Sequence, residues 1–296
     1  MDTETTTMKG LIGLYRPGSR HMVGDGFPVR NLFPSNDLDR EVSPFLMLDY
    51  AGPQYFEPTD HPRGVGEHPH RGFETVTIVY EGVLSHRDSA GNAGVIGPGD
   101  VQWMTAASGI VHEEFHEKEF AKQGGLLHAI QLWVNLPRTS KMSTPGYQTI
   151  LNDDIPSIDL DGGAGRLRVI AGSLHGRKGP ARTFTPVELY DLELKAGHHA
   201  LLTFPEGHNA SLFVLQGRAS VNGGQEAGEA ELIVCTRNGS QVAVVAHEDS
   251  RLLVMAGEPI DEPIARYGPF VMNTKAELVE AVNDYQAGKM GHLAGC

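Results

Sequence analysis

Seven of the 14 histidines fall between His61 and His128. Two pairs within that stretch share one spacing: His68-Pro69-His70 and His112-Glu113-Glu114. Alternate residues of a β-strand point to the same face. His68 and His70 therefore project together, as do His112 and Glu114. If their strands are neighbours, three imidazoles and one carboxylate converge. Such a set suits Fe(II), Mn, Co, Ni or Zn and suits Ca or Mg poorly. Four protein ligands leave one or two positions open for water, a chelating substrate or O2. A closed structural zinc site more often uses cysteine, and Cys235 and Cys296 stand in no metal or redox spacing. The spacing alone leaves a second reading open, with HPH in a loop and HEE in a solvated polar patch.

Strands are needed to hold these pairs. Thr75 to Tyr80 is rich in β-branched residues, and further short strands are expected at Val83 to Arg87, Val95-Ile96, Val101 to Thr105 and Leu127 to Val134. Asp88 to Asn92, Gly97 to Asp100 and Ser108-Gly109 supply the turns between them. This rhythm predicts a sandwich or small barrel. From Leu136 to Ser157 the chain is interrupted by Pro137, Pro145, Gly146 and Pro156, which places an inter-domain connection there. A second strand-rich region runs from Arg166 to Met255. Tyr80-Glu81-Gly82 is echoed by Leu215-Gln216-Gly217, and Ser108-Gly109 by Asn238-Gly239, as in a duplicated barrel. Near the end, Thr274 and Glu277 form a capping box. Leu278, Val282 and Tyr285 share one helical face, and Gly288 suits the C-cap, so one amphipathic helix is expected over about 274–287.

The bulk numbers fit that reading. A chain of 296 residues accommodates two domains. Its 36 glycines and 18 prolines suit an all-β fold with many tight turns. The net charge of −13, without a basic cluster, argues against direct nucleic-acid binding. No apolar run reaches the roughly 18 residues of a membrane span. MDTETTTMKG lacks the basic and apolar regions of a secretory signal. With two cysteines and no disulfide framework, the expectation is a soluble protein of the cytoplasm.

Several long segments resemble the pirin family of the cupin superfamily: HPHRGFETVT, GPGDVQWMTAASGIVHEE, IQLWVNLP and GEPIDEPIARYGPFVMNTKAELVEAVNDYQAGKMG. The likeness runs from about Met22 to Gly291. It implies two cupin barrels of the double-stranded β-helix, or jelly-roll, type. Residues 1–145 would form a metal-binding N-terminal barrel, and residues 146–296 a metal-free barrel followed by the C-terminal helix. It also implies one divalent metal, commonly Fe(II), on His68, His70, His112 and Glu114. Many other cupins take a ligand from the position of Glu74, which is here expected to be structural or to support the ligands. The second barrel offers His208 in the corresponding slot but no HxH. His208 is thus expected to be satisfied by the core or the surface, and His198-His199 alternate faces.

The resemblance implies two functions. One is a quercetin 2,3-dioxygenase, with a flavonol and O2 as partners. Glu114 is then the carboxylate expected to take the proton from the flavonol hydroxyl. The other is a non-enzymatic, redox-responsive regulator that binds a transcription factor or a metabolic enzyme, with nuclear placement in a eukaryote. A monomer is expected. Phe56, Phe73, Trp103 and Gln131 are expected to wall a substrate pocket, with Met104, Ile130 and Leu132 as further candidates or plain barrel core. His86 and His128 are expected as strand residues with polar partners, His116 at the rim, and Glu113 pointing away from the metal.

Overall fold

A computed structural model describes residues 7–34 and 36–293. Cys296 lies outside the described residues. The chain divides into two compact units, each drawn from three stretches of sequence. One comprises residues 18–33, 45–152 and 260–296, and the other residues 1–17, 34–44 and 153–259.

The first unit holds the histidine pairs. Its larger sheet has seven antiparallel strands in the order Gly146–Ile150, Val101–Thr105, Phe73–Glu81, Gly125–Asn135, Phe45–Phe56, Phe27–Phe33 and His21–Val23. Its smaller sheet has the order Gly64–His70, Ile110–His116, Leu84–Asp88 and Ala93–Ile96. The Phe73–Glu81 strand is buried along almost its whole length, in keeping with its run of β-branched and aromatic side chains. Between the Gly64–His70 and Phe73–Glu81 strands the chain turns at Gly72, with φ +91°. A Cβ there would lie 1.9 Å from the carbonyl oxygen of Val271. That clash reserves the turn for glycine and fixes where His70 sits.

The stretch read as a connection contributes Gly146–Ile150, an edge strand paired with Val101–Thr105. The C-terminal helix, Lys275–Gln286, belongs to this same unit rather than to the second strand-rich region. Thr274 caps it, with the reciprocal Glu277 bond in place. Its cap at the other end is Ala287, one residue before Gly288, which takes φ +72°. Leu278 and Ala281 are buried against Val111, Phe270 and Met272. The Arg71 guanidinium donates to Asp284 at 2.9 Å and ties the helix to the residue following the HPH pair.

The second unit has a seven-stranded sheet running from Leu11–Tyr15 through Leu232–Cys235, Asn209–Gln216, Ser250–Gly257, Val187–Leu194 and Gly165–Ala171 to Ser157–Asp159. A three-stranded sheet joins His199–Thr203, Gln241–Ala246 and Ala219–Val221. Leu192, Leu212, Val214, Val242, Val244 and Val254 belong to one buried apolar cluster drawn from both sheets. The strand echo is real in the fold: Gly82 and Gly217 both follow a long strand with positive φ. No helix of the described residues is long and apolar enough to cross a membrane.

Candidate metal centre

The two histidine pairs lie on neighbouring antiparallel strands, with His112 directly opposite His68 and Ile110 opposite His70. The ligand atoms of His68, His70 and His112 lie within 4.8 Å of one another. His68 and His70 ring centroids are 4.2 Å and 4.9 Å from that of His112. Glu114 follows on the same strand face, beyond a register shift, and is buried.

The hydrogen bonds assign the tautomers. A carbonyl only accepts, so His68 Nδ1 donates to Gly66 O at 2.8 Å and His70 Nδ1 to Pro269 O at 3.4 Å. Both rings therefore keep their lone pair on Nε2. His86 Nε2 donates to Asp88 at 3.3 Å. Burial would raise the Asp88 carboxyl, but hydrogen bonds from His86 and Asn92 outweigh it and hold it below the usual carboxylate value. The remaining His86 nitrogen accepts from His112 Nδ1 at 3.3 Å and from Gln102 at 3.3 Å. His112 is then left with a lone pair on Nε2, which is buried and has no hydrogen-bond partner.

An orphaned buried acceptor of this kind costs about 1–3 kcal/mol unless something fills it. Burial, reinforced by the neighbouring imidazoles, pushes His70 and His112 well below the usual imidazole value. Both are thus neutral, the form that binds a metal. Three Nε2 lone pairs, each ring oriented through its other nitrogen, suit a divalent ion of the transition series, and the Glu114 carboxylate lies next to His112 in an adjoining group. His86 also forms an overlapping group with His112 and Glu114 within 4.8 Å, but its bonds to Asp88 and Gln102 make it a support for His112.

Glu114 is held from the opposite sheet. Gln131 Nε2 donates to its two oxygens at 3.0 Å and 3.3 Å. Thr77 Oγ1 and Gln102 Nε2 reach Oε1, each at 3.4 Å. Gln102 is in turn touched by the hydroxyl of Tyr147 at 3.3 Å, and the Tyr147 ring stacks on His86.

A cavity of about 330 Å3 opens beside these ligands, within the range of small-molecule sites. Val23, Phe27, Val29, Met47, Ala51 and Leu84 form apolar walls. His68, His70, Thr77, Glu114, Gln131 and Asp49 supply its polar groups. Of the four expected pocket residues, Gln131 lines it, and the other three expectations are corrected. Trp103 is opposite Val76, while its neighbour Gln102, opposite Thr77, faces Glu114. Strand alternation therefore turns Trp103 to the other face. Phe73 stacks on Trp133 with centroids 4.2 Å apart and backs the wall that Trp133 makes. Phe56 packs edge-on against His116, 4.6 Å away. Ile130 contributes to the lining, and Met104 and Leu132 are buried core.

The remaining expected residues fall as follows. Glu74 accepts from Thr105 Oγ1 at 2.6 Å on the face away from Thr77, and burial raises its carboxyl to about 7. Glu113 pairs with Arg87. His116 is buried rather than at the rim and donates to Gly26 O at 2.9 Å. In the second unit His208 is buried against Glu188 at 3.0 Å. His199 is exposed on its strand. Among the described residues, the candidate metal groups all lie in the first unit.

Sequence reasoning missed Asp49, Gln102 and Tyr147. Asp49 carried a signal, as the one charge in the apolar run Phe45 to Ala51. Gln102 and Tyr147 carried none.

Comparison with known proteins agrees with this architecture. Residues 26–134 match the family described as Pirin, and residues 189–291 match the Pirin C-terminal cupin domain. A Pseudomonas aeruginosa protein named "Putative quercetin 2,3-dioxygenase PA2418" is 52% identical over 282 residues, covering 95% of this chain and 98% of its own. Pirin-1 of Arabidopsis thaliana is 41% identical, covering 92% of each chain. A crystal structure of quercetin 2,3-dioxygenase from Acinetobacter baumannii superposes with a TM-score of 0.94 at 50% identity, covering 97% of this chain and 100% of the other. The all-β expectation of two cupin barrels with a C-terminal helix holds.

Proposed function

The chain belongs to the pirin family, and on that premise we propose that it is a metal-dependent dioxygenase cleaving flavonols such as quercetin. His68, His70, His112 and Glu114 hold the metal in this reading, with Fe(II) as the native ion. The observation that carries it is the unpartnered His112 Nε2 beside His68 and His70, which themselves line an apolar cavity of about 330 Å3. The name borne by the Acinetobacter structure supports the same reaction class.

A flavonol presents a hydroxyl beside a carbonyl, a pair of oxygens suited to chelation. A bound divalent ion supplies Lewis acidity that lowers the pKa of such a hydroxyl. The protein's own groups do the rest. Gln131 fixes the Glu114 carboxylate through both oxygens, and the backbone carbonyls of Gly66 and Pro269 set the His68 and His70 rings. Phe27, Val29, Met47 and Ala51 exclude water from the flat face of the ligand. Enclosed apolar walls of this volume favour a small aromatic ligand over a protein segment, which sets the dioxygenase reading above the regulatory one.

The test is reconstitution of metal-free protein with Fe(II), Mn(II), Co(II) and Ni(II) in turn. O2-dependent loss of the quercetin absorbance is followed, with Glu114→Ala as control. Turnover that needs metal and vanishes in the variant is expected. One bound ion per chain without turnover under any metal would sink the enzymatic reading. His112→Ala and Glu114→Ala are both expected to lose metal while keeping the native circular dichroism; full occupancy in both would refute the ligand set.

A further inference from the structure

Five polar side chains form a row across the larger sheet of the metal-binding unit. Asn31 is opposite Asp49, Asp49 opposite Gln131, Gln131 opposite Thr77 and Thr77 opposite Gln102. Residues directly opposed in antiparallel strands share a face. Gln131, Thr77 and Gln102 are committed to Glu114. Asp49 is not. It lines the cavity beside Gln131, with Met47 and Ala51 at the alternate positions of its own strand. Among the described residues its one hydrogen-bond donor is Asn31 Nδ2, 2.7 Å from Oδ1.

A carboxylate 9% exposed, set among apolar walls with a single donor, is costly to keep unless it serves a ligand. Glu114 is poorly placed for proton transfer, because donors occupy its oxygens and accepting a proton would weaken its hold on a metal. We infer that Asp49 is the proton acceptor for a ring hydroxyl of the aromatic substrate in this cavity. The role rests on the dioxygenase reading and assigns it a base separate from the ligand set. In the step, the substrate O–H bond breaks, its electron pair stays on the substrate oxygen, and the proton bonds to Asp49 Oδ2. Nothing is oxidised or reduced, and the proton later leaves to product or solvent. Burial raises the Asp49 carboxyl, against smaller opposing effects of Asn31 and His21, which strengthens it as an acceptor.

The test compares holoenzyme and Asp49→Asn, each assayed for metal content, for anaerobic quercetin binding and for turnover. Ionised flavonols absorb at longer wavelength than neutral ones, so the spectrum of the bound ligand reads the proton directly. Wild-type protein is expected to hold the ionised form. The variant is expected to keep its metal and bind quercetin, to hold more of the neutral form, and to turn over about 100- to 10,000-fold more slowly. An electron-poor flavonol, whose hydroxyl ionises with less help, should recover part of that loss in the variant. If Asp49→Asn does not fold, Asp49→Ser is read the same way. An ionised spectrum with near-wild-type turnover in the variant would overturn the assignment and leave the dioxygenase reading standing. Loss of metal in the variant would overturn it too, by tying Asp49 to the ligand set. A wild-type protein inactive with every metal refutes the dioxygenase reading, and the role of Asp49 with it.

Discussion

Replacing Gln131 with methionine should weaken metal binding by about 10- to 100-fold. The side chain keeps its length and loses its donor. Gln131 is the one described donor to Glu114 Oε2, at 3.0 Å, and it also reaches Oε1 at 3.3 Å. Thr77 and Gln102 reach only Oε1, at 3.4 Å. A hydrogen bond to a charged group contributes about 1.5–3 kcal/mol, and each tenfold in affinity corresponds to about 1.4 kcal/mol. The two routes to the magnitude therefore agree. Competition against a chromophoric chelator with Co(II) would measure it, in wild type, Gln131→Met and Thr77→Val. Thr77→Val should lose less than Gln131→Met, because its bond is longer and Oε1 has other donors. A Gln131→Met affinity within twofold of wild type, or a larger loss in Thr77→Val, would show that the opposite sheet does not position Glu114.

Three further outcomes follow from buried groups. His208→Ala should leave metal content unchanged and lower stability by about 1–3 kcal/mol in a denaturant titration, because Glu188 loses its 3.0 Å partner inside the second unit. Glu74→Gln should flatten the pH dependence of stability. Burial raises the Glu74 carboxyl from 4.5 to about 7, so the folded state keeps a proton that the unfolded chain releases. The wild-type contribution is full below pH 4.5 and is lost as pH rises to about 7, a change of about 3 kcal/mol; equal slopes for wild type and variant in thermal melts across that window would contradict the burial argument. Burial also pushes the Cys235 thiol up to about 12. Peptide mapping after iodoacetamide treatment at pH 8 should find Cys235 unmodified in native protein and modified after unfolding.

Much of the site was legible because strand geometry is local. The i,i+2 spacing of His68 with His70, and of His112 with Glu114, requires only a strand to put each pair on one face. His68, His70 and His112 come together because their strands are neighbours with His112 opposite His68. The aromatic wall needed more than local geometry. Alternation turns Trp103 to the other face, whereas Phe73 shares the face of Thr77 but stands behind Trp133, and Phe56 packs against His116. Glu74 shows the rule at work: one residue from Phe73, it meets Thr105 on the opposite side of the sheet from Thr77.

The sequence by itself determined the strand rhythm, the two i,i+2 pairs of candidate ligands and the capped C-terminal helix. Each depends on residues a few positions apart, where backbone geometry fixes direction. Tertiary structure alone decided that the helix packs in the unit that holds the histidine pairs, that Tyr147 stacks on His86, and that Asp49 stands in one row with Gln131. Those relations join positions dozens to hundreds of residues apart. They follow from the register of paired strands, which depends on the whole set of side chains that must share a buried face.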